Sequence, residues 1–167
     1  MVFIYNSPYM KKTNLVYLIT PNNHVWLGAK KKSNSWFTIS LSKRNGFGWK
    51  VDAWETFITS AIRELREEAE VEVTEQQLHF SWIMHFSFET KTEWDQECHI
   101  FTCKNFTGTP CETDEMQPRL WDINNLPYEN MRDTDKVWLE KLLAGEFVEY
   151  IIKLSDTGDM LWYEKIQ

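Results

Sequence analysis

Hydrophobic and polar positions run along this chain in two rhythms, and each predicts its own kind of element. Asn14-Leu-Val-Tyr-Leu-Ile-Thr is a short apolar, β-branched run that stops at Pro21-Asn22-Asn23. His24-Val-Trp-Leu-Gly-Ala follows that turn chemistry, so a first β-hairpin is expected. A polar stretch, Lys30-Lys-Lys-Ser-Asn-Ser-Trp, leads on to Asn45-Gly-Phe-Gly48. From Thr56 the period lengthens. Ile58, Ala61, Ile62, Leu65 and Ala69 recur at spacings of three and four, which predicts a helix with one buried stripe. Thr56 suits its N-cap, but no Glu stands three residues on, so only half of a capping box is expected.

Residues 79–88 and 98–104 read as strands, Gly108-Thr-Pro as a turn and Pro118-Arg-Leu-Trp-Asp-Ile as a further strand. Residues 135–144 read as a second helix, with Val137, Trp138 and Leu142, joined by Leu139, facing inward and Gly145 as its stop. A last strand pair, 147–153 and 160–166, is expected around Asp156-Thr-Gly-Asp. Strands and helices mix without regular βαβ alternation, so the class is α+β. No linker, charge block or repeat divides the chain, which predicts one domain over 1–167.

Composition narrows the function. Hydrophobic residues make up 43% and charged residues 26% of 167 positions, ordinary globular usage that excludes wholesale disorder. Eighteen Lys and Arg against 25 Asp and Glu leave a formal charge of −7. Wrapping a nucleic-acid backbone rewards the opposite balance, so phosphates are expected to be met through a metal ion. No apolar run is long enough to span a membrane. Residues 1–8 make a poor secretory signal, and three cysteines suit a reducing compartment, so the expected setting is the cytoplasm. Aromatic content is high, 15% with nine Trp, so some of these rings are expected to line a pocket.

The chemically informative segment holds Glu64, Glu67 and Glu68. On a helix, positions i, i+3 and i+4 share a face, so these carboxylates are expected to project together beside or opposite the apolar stripe. A solvated, salt-bridged face is one reading, with Arg63 four residues before Glu67. The other is a site for a hard cation, which prefers oxygen ligands and bridges carboxylates to substrate phosphates.

Trp49 to Val71 resembles the Nudix box, G-x5-E-x7-R-E-U-x-E-E-x-G-U with U aliphatic. Glu55, Arg63, Glu64, Leu65, Glu67, Glu68 and Val71 match in register. Asn45-Gly-Phe-Gly48, Gly108-Thr-Pro, Asp114-Glu115-Met116 and 131–138 fall where MutT-like oxidised-purine nucleoside triphosphatases carry similar segments. The resemblance implies a mixed β-sheet sandwiched between α-helices and a Mg²⁺-dependent hydrolase, with Mn²⁺ as a substitute. It implies metal ligands at Glu64, Glu67, Glu68 and Glu115, joined by the Gly48 main chain, and a water-activating base at either Glu64 or Glu115. Arg63 is expected to orient a helix glutamate. Glu55 is expected to brace the loop–helix junction, and Lys30 and Lys50 are candidates for phosphate contact.

For the base, the resemblance implies Asn45, Asp135, Thr134 and Arg132, with Phe86, Phe88 and Met116 as walls. Thr134 and Arg132 stand where the family has an Asp and a Trp. Both box glycines are replaced, by Trp49 and Glu70. A left-handed backbone at Trp49 would cost about 1–2 kcal/mol, and the indole would crowd the diphosphate path. Glu70 carries the wrong charge for a helix C-terminus.

The expected activity is hydrolysis of modified purine nucleoside triphosphates to monophosphate and pyrophosphate by a monomer, without nucleic acid or membrane. The alternatives are a catalytically weakened nucleotide-binding or interaction protein, and a hydrolase of another nucleoside diphosphate derivative. Cys98 and His99 alternate on a strand, and no cysteine or histidine pair has zinc-finger spacing, which argues against a zinc site.

Overall fold

The computed structural model describes residues 10–31 and 43–166. The N-terminal octapeptide and residues 32–36 of the polar stretch lie outside them. The first hairpin is β1 (Lys11–Thr20) and β2 (His24–Lys30), closed over Pro21–Asn23 with Leu18 opposite Trp26. There follow β3 (Arg44–Asn45), α1 (Phe57–Ala69), β4 (His79–Phe88), β5 (Gln96–Cys103) and β6 (Met116–Asp122). The chain ends in α2 (Asp135–Leu143), β7 (Val148–Leu154) and β8 (Met160–Lys165).

The strands form one mixed sheet in the order β3-β2-β1-β5-β4-β7-β8, with β6 alongside β2. β1 with β5 and β4 with β7 are parallel, and the remaining pairs are antiparallel. β2 is the fork: Val25 pairs both Ile19 and Trp121, and Gly28 pairs both Asn45 and Pro118. Pro118 is tolerated in β6 because an outer strand need not donate on both sides.

Strand alternation divides the sheet into two apolar faces, and each takes one helix. Val16 and Leu18 of β1, with Phe101 and Cys103 of β5, pack against Ala61, Leu65 and Ala69 of α1. Tyr17 and Ile19, with Cys98 and Ile100, lie in the other core with Trp138, Leu139 and Leu142 of α2. Burying a side chain such as Leu65 contributes about 2 kcal/mol, and this stripe fixes the rotation of α1 about its axis. The sheet is therefore sandwiched between helices, and Cys98 and His99 do point to opposite faces, His99 stacking on Phe57 with ring centroids 3.5 Å apart.

Two expectations about α1 need correction. The capping box is complete, because Thr59 does the work of a Glu: its Oγ1 accepts from Thr56 N at 2.9 Å while Thr56 Oγ1 accepts from Thr59 N at 3.2 Å. The buried stripe is also rotated from the apolar one. Ile58 and Ile62 are half-buried, whereas Ser60, Glu64 and Glu68 are buried beside Ala61, Leu65 and Ala69.

Candidate functional site

Ser60, Glu64 and Glu68 recur every four residues, so α1 carries a polar stripe into the protein beside its apolar one. Its partners come from the segments that the sheet brings over it. Asn14 of β1 donates through Nδ2 to Ser60 Oγ at 2.9 Å. Gly48 N donates to Glu68 Oε2 at 2.8 Å, and Lys30 Nζ, at the end of β2, lies 3.3 Å from Glu68 Oε1. Glu68 is 1% exposed, and burial pushes its carboxyl up to about 7 despite the nearby ammonium. Gly48 has a φ of 134°, and a Cβ there would stand 2.5 Å from both Asn14 O and Asn14 Oδ1. Only glycine brings the main chain that close to the carboxylate.

Arg63 ties the preceding loop to the helix. Its Nε and Nη2 donate to the two oxygens of Glu55 at 2.7 and 2.9 Å, a bidentate pair that holds Glu55 down to about 2. Its Nη1 donates to Glu64 at 3.0 Å and to Glu67 at 2.9 Å, and Nη2 also reaches Lys50 O at 3.3 Å. Glu64 nonetheless sits above the ordinary carboxylate range, because its burial outweighs the guanidinium. The three helix carboxylates thus separate: Glu64 and Glu68 are buried, whereas the Glu67 side chain is 49% exposed.

A cavity of about 510 Å³ opens beside Glu68. Around the carboxylate it is lined by Lys30, Gly48, Trp49, Asp114 and Glu115. Glu115 is exposed, its carbonyl held by Lys31 N at 2.8 Å. A second polar group in the same cavity is Asn45, Arg132, Thr134 and Asp135, with Phe86, Phe88, Met116 and Trp138 as apolar walls. Asn45 Oδ1 accepts from Tyr17 OH at 2.6 Å and from Gly46 N at 2.8 Å, which fixes the orientation of the carboxamide.

Asp135 opens α2 and is 3% exposed. It accepts from Arg132 N at 3.2 Å and Thr134 Oγ1 at 3.4 Å, and burial pushes it up to about 6. Burial also lowers the Arg132 guanidinium, and raises the Tyr17 hydroxyl together with the Asp135 charge.

Lys30, Asn45, Gly48, Trp49, Glu68, Phe86, Phe88, Glu115, Met116, Arg132, Thr134 and Asp135, all singled out in the sequence, meet here. Arg63, Glu64, Glu67 and Lys50 do not line the cavity. Among the described residues no three Asp, Glu, His or Cys side chains are gathered as a metal-holding group. The reason is local charge pairing, since Arg63 draws in Glu55, Glu64 and Glu67 while Lys30 meets Glu68. The donor chemistry still fits a hard divalent cation, being carboxylate oxygens, two of them desolvated one helical turn apart.

The feared strain at Trp49 is absent. Among the described residues the non-glycine positions of positive φ are Asn23 and Glu70, so the first box position needs no glycine and the second is where the left-handed turn falls. Trp49 lines the cavity with its ring centroid 4.6 Å from Lys30 Nζ.

Sequence reading missed Asn14, Arg44, Lys43 and the cavity-facing part of Trp138. Two of these left a signal: Asn14 is a polar residue heading the apolar run within β1, and Trp138 lies three residues after Asp135 on the same helix face.

No family model matches the chain. An oxidized purine nucleoside triphosphate hydrolase from Danio rerio is 37% identical over 133 residues, covering 80% of each chain. One from Mus musculus is 32% identical over 149 residues, covering 89% of this chain and 90% of that one. A MutT protein from Bacillus halodurans shares the fold, with a TM-score of 0.76 at 15% identity, over 94% of this chain and 98% of the other. A MutT Nudix hydrolase from Burkholderia pseudomallei gives 0.63 at 14% identity, over 81% and 96%.

Proposed function

This chain belongs to the oxidised purine nucleoside triphosphate hydrolases, within the Nudix hydrolases, and on that premise we propose that it hydrolyses modified purine nucleoside triphosphates to nucleoside monophosphate and pyrophosphate. The observation that carries this reading is that one cavity is faced both by the buried Glu68 carboxylate and by Asn45, Thr134 and Asp135. Carboxylates with a lysine suit a polyphosphate and its counter-cation, and a set of hydrogen-bonding side chains between aromatic walls suits a purine.

Glu64, Glu67, Glu68 and Glu115, with the Gly48 main chain, would hold Mg²⁺ or Mn²⁺. When bound, such an ion supplies positive charge to the polyphosphate and acidifies an attacking water. Glu64 or Glu115 would be the carboxylate that accepts a proton from the attacking water. Arg63 orients Glu64 and Glu67 and is itself fixed by Glu55. Lys30 offsets phosphate charge. Asn45 has its oxygen committed to Tyr17 and Gly46, so its NH₂ donates to the purine edge.

Burial raises Asp135 to about 6, so it donates a hydrogen bond when protonated and accepts when ionised. Thr134 does either through its hydroxyl, and Arg132 adds a planar cation. Phe86 and Met116 pack against the base. The reading extends to a monomeric cytoplasmic enzyme acting on free nucleotides. Three free cysteines and a −7 charge support it. Among the described residues no helix is long and apolar enough to cross a membrane.

The test is pyrophosphate release from a panel of normal and oxidised nucleoside triphosphates, with Mg²⁺ and with EDTA. Metal-dependent turnover that favours a modified purine is the expected result, and no turnover on any of them overturns the reading.

A further inference from the structure

Trp49 occupies the first glycine position of the box, and its backbone makes no demand for glycine. Trp49 O accepts from Asn14 N at 2.9 Å, a bond that any residue at this position supplies. What is particular to this chain is the side chain. It is half-buried on the cavity wall, and the Lys30 ammonium rests 4.6 Å from the centre of its ring. The same ammonium lies 3.3 Å from Glu68 Oε1. Indole, ammonium and carboxylate therefore form one line of contact where the polyphosphate is expected.

A lysine at a strand end has a flexible four-carbon stem and loses much of that freedom when it serves as a phosphate ligand. An aromatic face seats an ammonium electrostatically without neutralising it, unlike a carboxylate. Glu68 would be drawn away from this role wherever its charge met a divalent cation, and the indole would then be the contact that keeps the ammonium in the cavity.

We propose that Trp49 is a positioning residue that holds Lys30 at the cavity wall as a clamp for the substrate's phosphates. The inference rests on the function proposed for this site and concerns how this chain manages without the first box glycine. Trp49 acts through Lys30, so its effect must vanish when Lys30 is gone.

The experiment is a double-mutant cycle with Trp49→Leu, Lys30→Met and the double variant, each checked for an unchanged unfolding transition. Trp49→Leu is expected to raise KM for the nucleoside triphosphate about three- to tenfold, with kcat within about twofold. Trp49→Phe, which keeps an aromatic face, is expected to restore most of that affinity. In the Lys30→Met background Trp49→Leu adds nothing. An equal loss in both backgrounds, or no change in KM, overturns the proposal.

The same cycle is read by calorimetry with inorganic tripolyphosphate and Mg²⁺, which needs no turnover. If no nucleotide is hydrolysed but tripolyphosphate affinity falls with the Lys30-dependent pattern, the proposed function fails and the clamp stands. Without that pattern, or without measurable tripolyphosphate binding, the clamp fails.

Discussion

The two helices lie on opposite faces of one sheet, and each delivers a buried carboxylate to the same cavity in different company. Glu68, late in α1, faces an ammonium at 3.3 Å and one main-chain N–H. Asp135, the first residue of α2, accepts from the Arg132 N–H and the Thr134 hydroxyl, at a helix N-terminus that favours negative charge. Burial raises both, to about 7 and about 6. The lesson is that burial alone does not assign a role to a carboxyl; its neighbours do. A lysine ammonium beside Glu68 is a partner that another cation can replace. Fixed hydrogen-bond donors around Asp135 prepare it to exchange a proton or a hydrogen bond with a neutral base.

Removing the charge from each tests this contrast. Glu68→Gln is expected to lower kcat roughly a thousandfold, the scale of losing a charged catalytic group. The unfolding temperature should hold or rise, because an amide oxygen still accepts from Gly48 N without the cost of a buried charge. Steady-state pyrophosphate release and thermal unfolding give both readings. A small kinetic effect would mean that Glu68 and Asp135 are alike.

Gly48→Ala attacks the same side through the backbone. Its φ of 134° and the 2.5 Å approach to Asn14 predict a loss of about 2–4 kcal/mol in urea unfolding.

Asp135→Asn probes the other side through pH. The folded carboxyl, at about 6, keeps a proton that the unfolded chain releases near its ordinary 3.8. The folded state therefore binds more protons across that window, and the contribution of Asp135 to stability falls as pH rises through it. Asparagine removes the slope, so the variant should gain about 1–3 kcal/mol relative to the parent between pH 4 and pH 7. Its KM for a modified purine nucleotide should rise about tenfold at neutral pH, the scale of one lost hydrogen bond to a charged group. A parallel pH dependence in both proteins would show that Asp135 is not the titrating group.

Much of this contrast could be read from residue order. Ala61, Leu65 and Ala69 fix the face of α1, and Tyr17 and Ile19 against Val16 and Leu18 fix which strand residues meet which helix. The burial of Glu64 and Glu68 was hidden, because spacing says that two residues share a face but not how far the sheet reaches around it. Asn14, Gly48 and Lys30 close over that face from three separate segments, and no local pattern records such a meeting. Thr59 as the second half of a capping box was missed because the usual signature asks for Glu. The pairing of Trp49 with Lys30 joins residues 19 positions apart in the sequence, a separation that no local spacing rule covers.

The helix ends give the smallest and cleanest test of the same comparison. α2 runs out at Ala144 in right-handed geometry, and Gly145 then takes the positive φ, 84°. α1 makes its left-handed turn at Glu70, with φ 56° and ψ 32°, while Glu70 N donates to Arg66 O at 3.1 Å and Val71 N to Leu65 O at 3.3 Å. A β-carbon in that geometry costs about 1–2 kcal/mol, and a negative charge at a helix C-terminus adds a few tenths. Glycine would relieve both but give the unfolded chain more freedom, which returns about 0.5–1 kcal/mol. Glu70→Gly should therefore stabilise the protein by about 0.5–1 kcal/mol in urea unfolding, with kcat and KM unchanged because the side chain is exposed and outside the cavity. The reverse change at the other helix, Gly145→Glu, should cost about as much as Glu70 now does. A stability gain at 70 with unaltered kinetics would mean that α1 needs only the turn there and not the carboxylate. A kinetic loss would tie Glu70 to the chemistry of Glu67 and Glu68 on the turn before it.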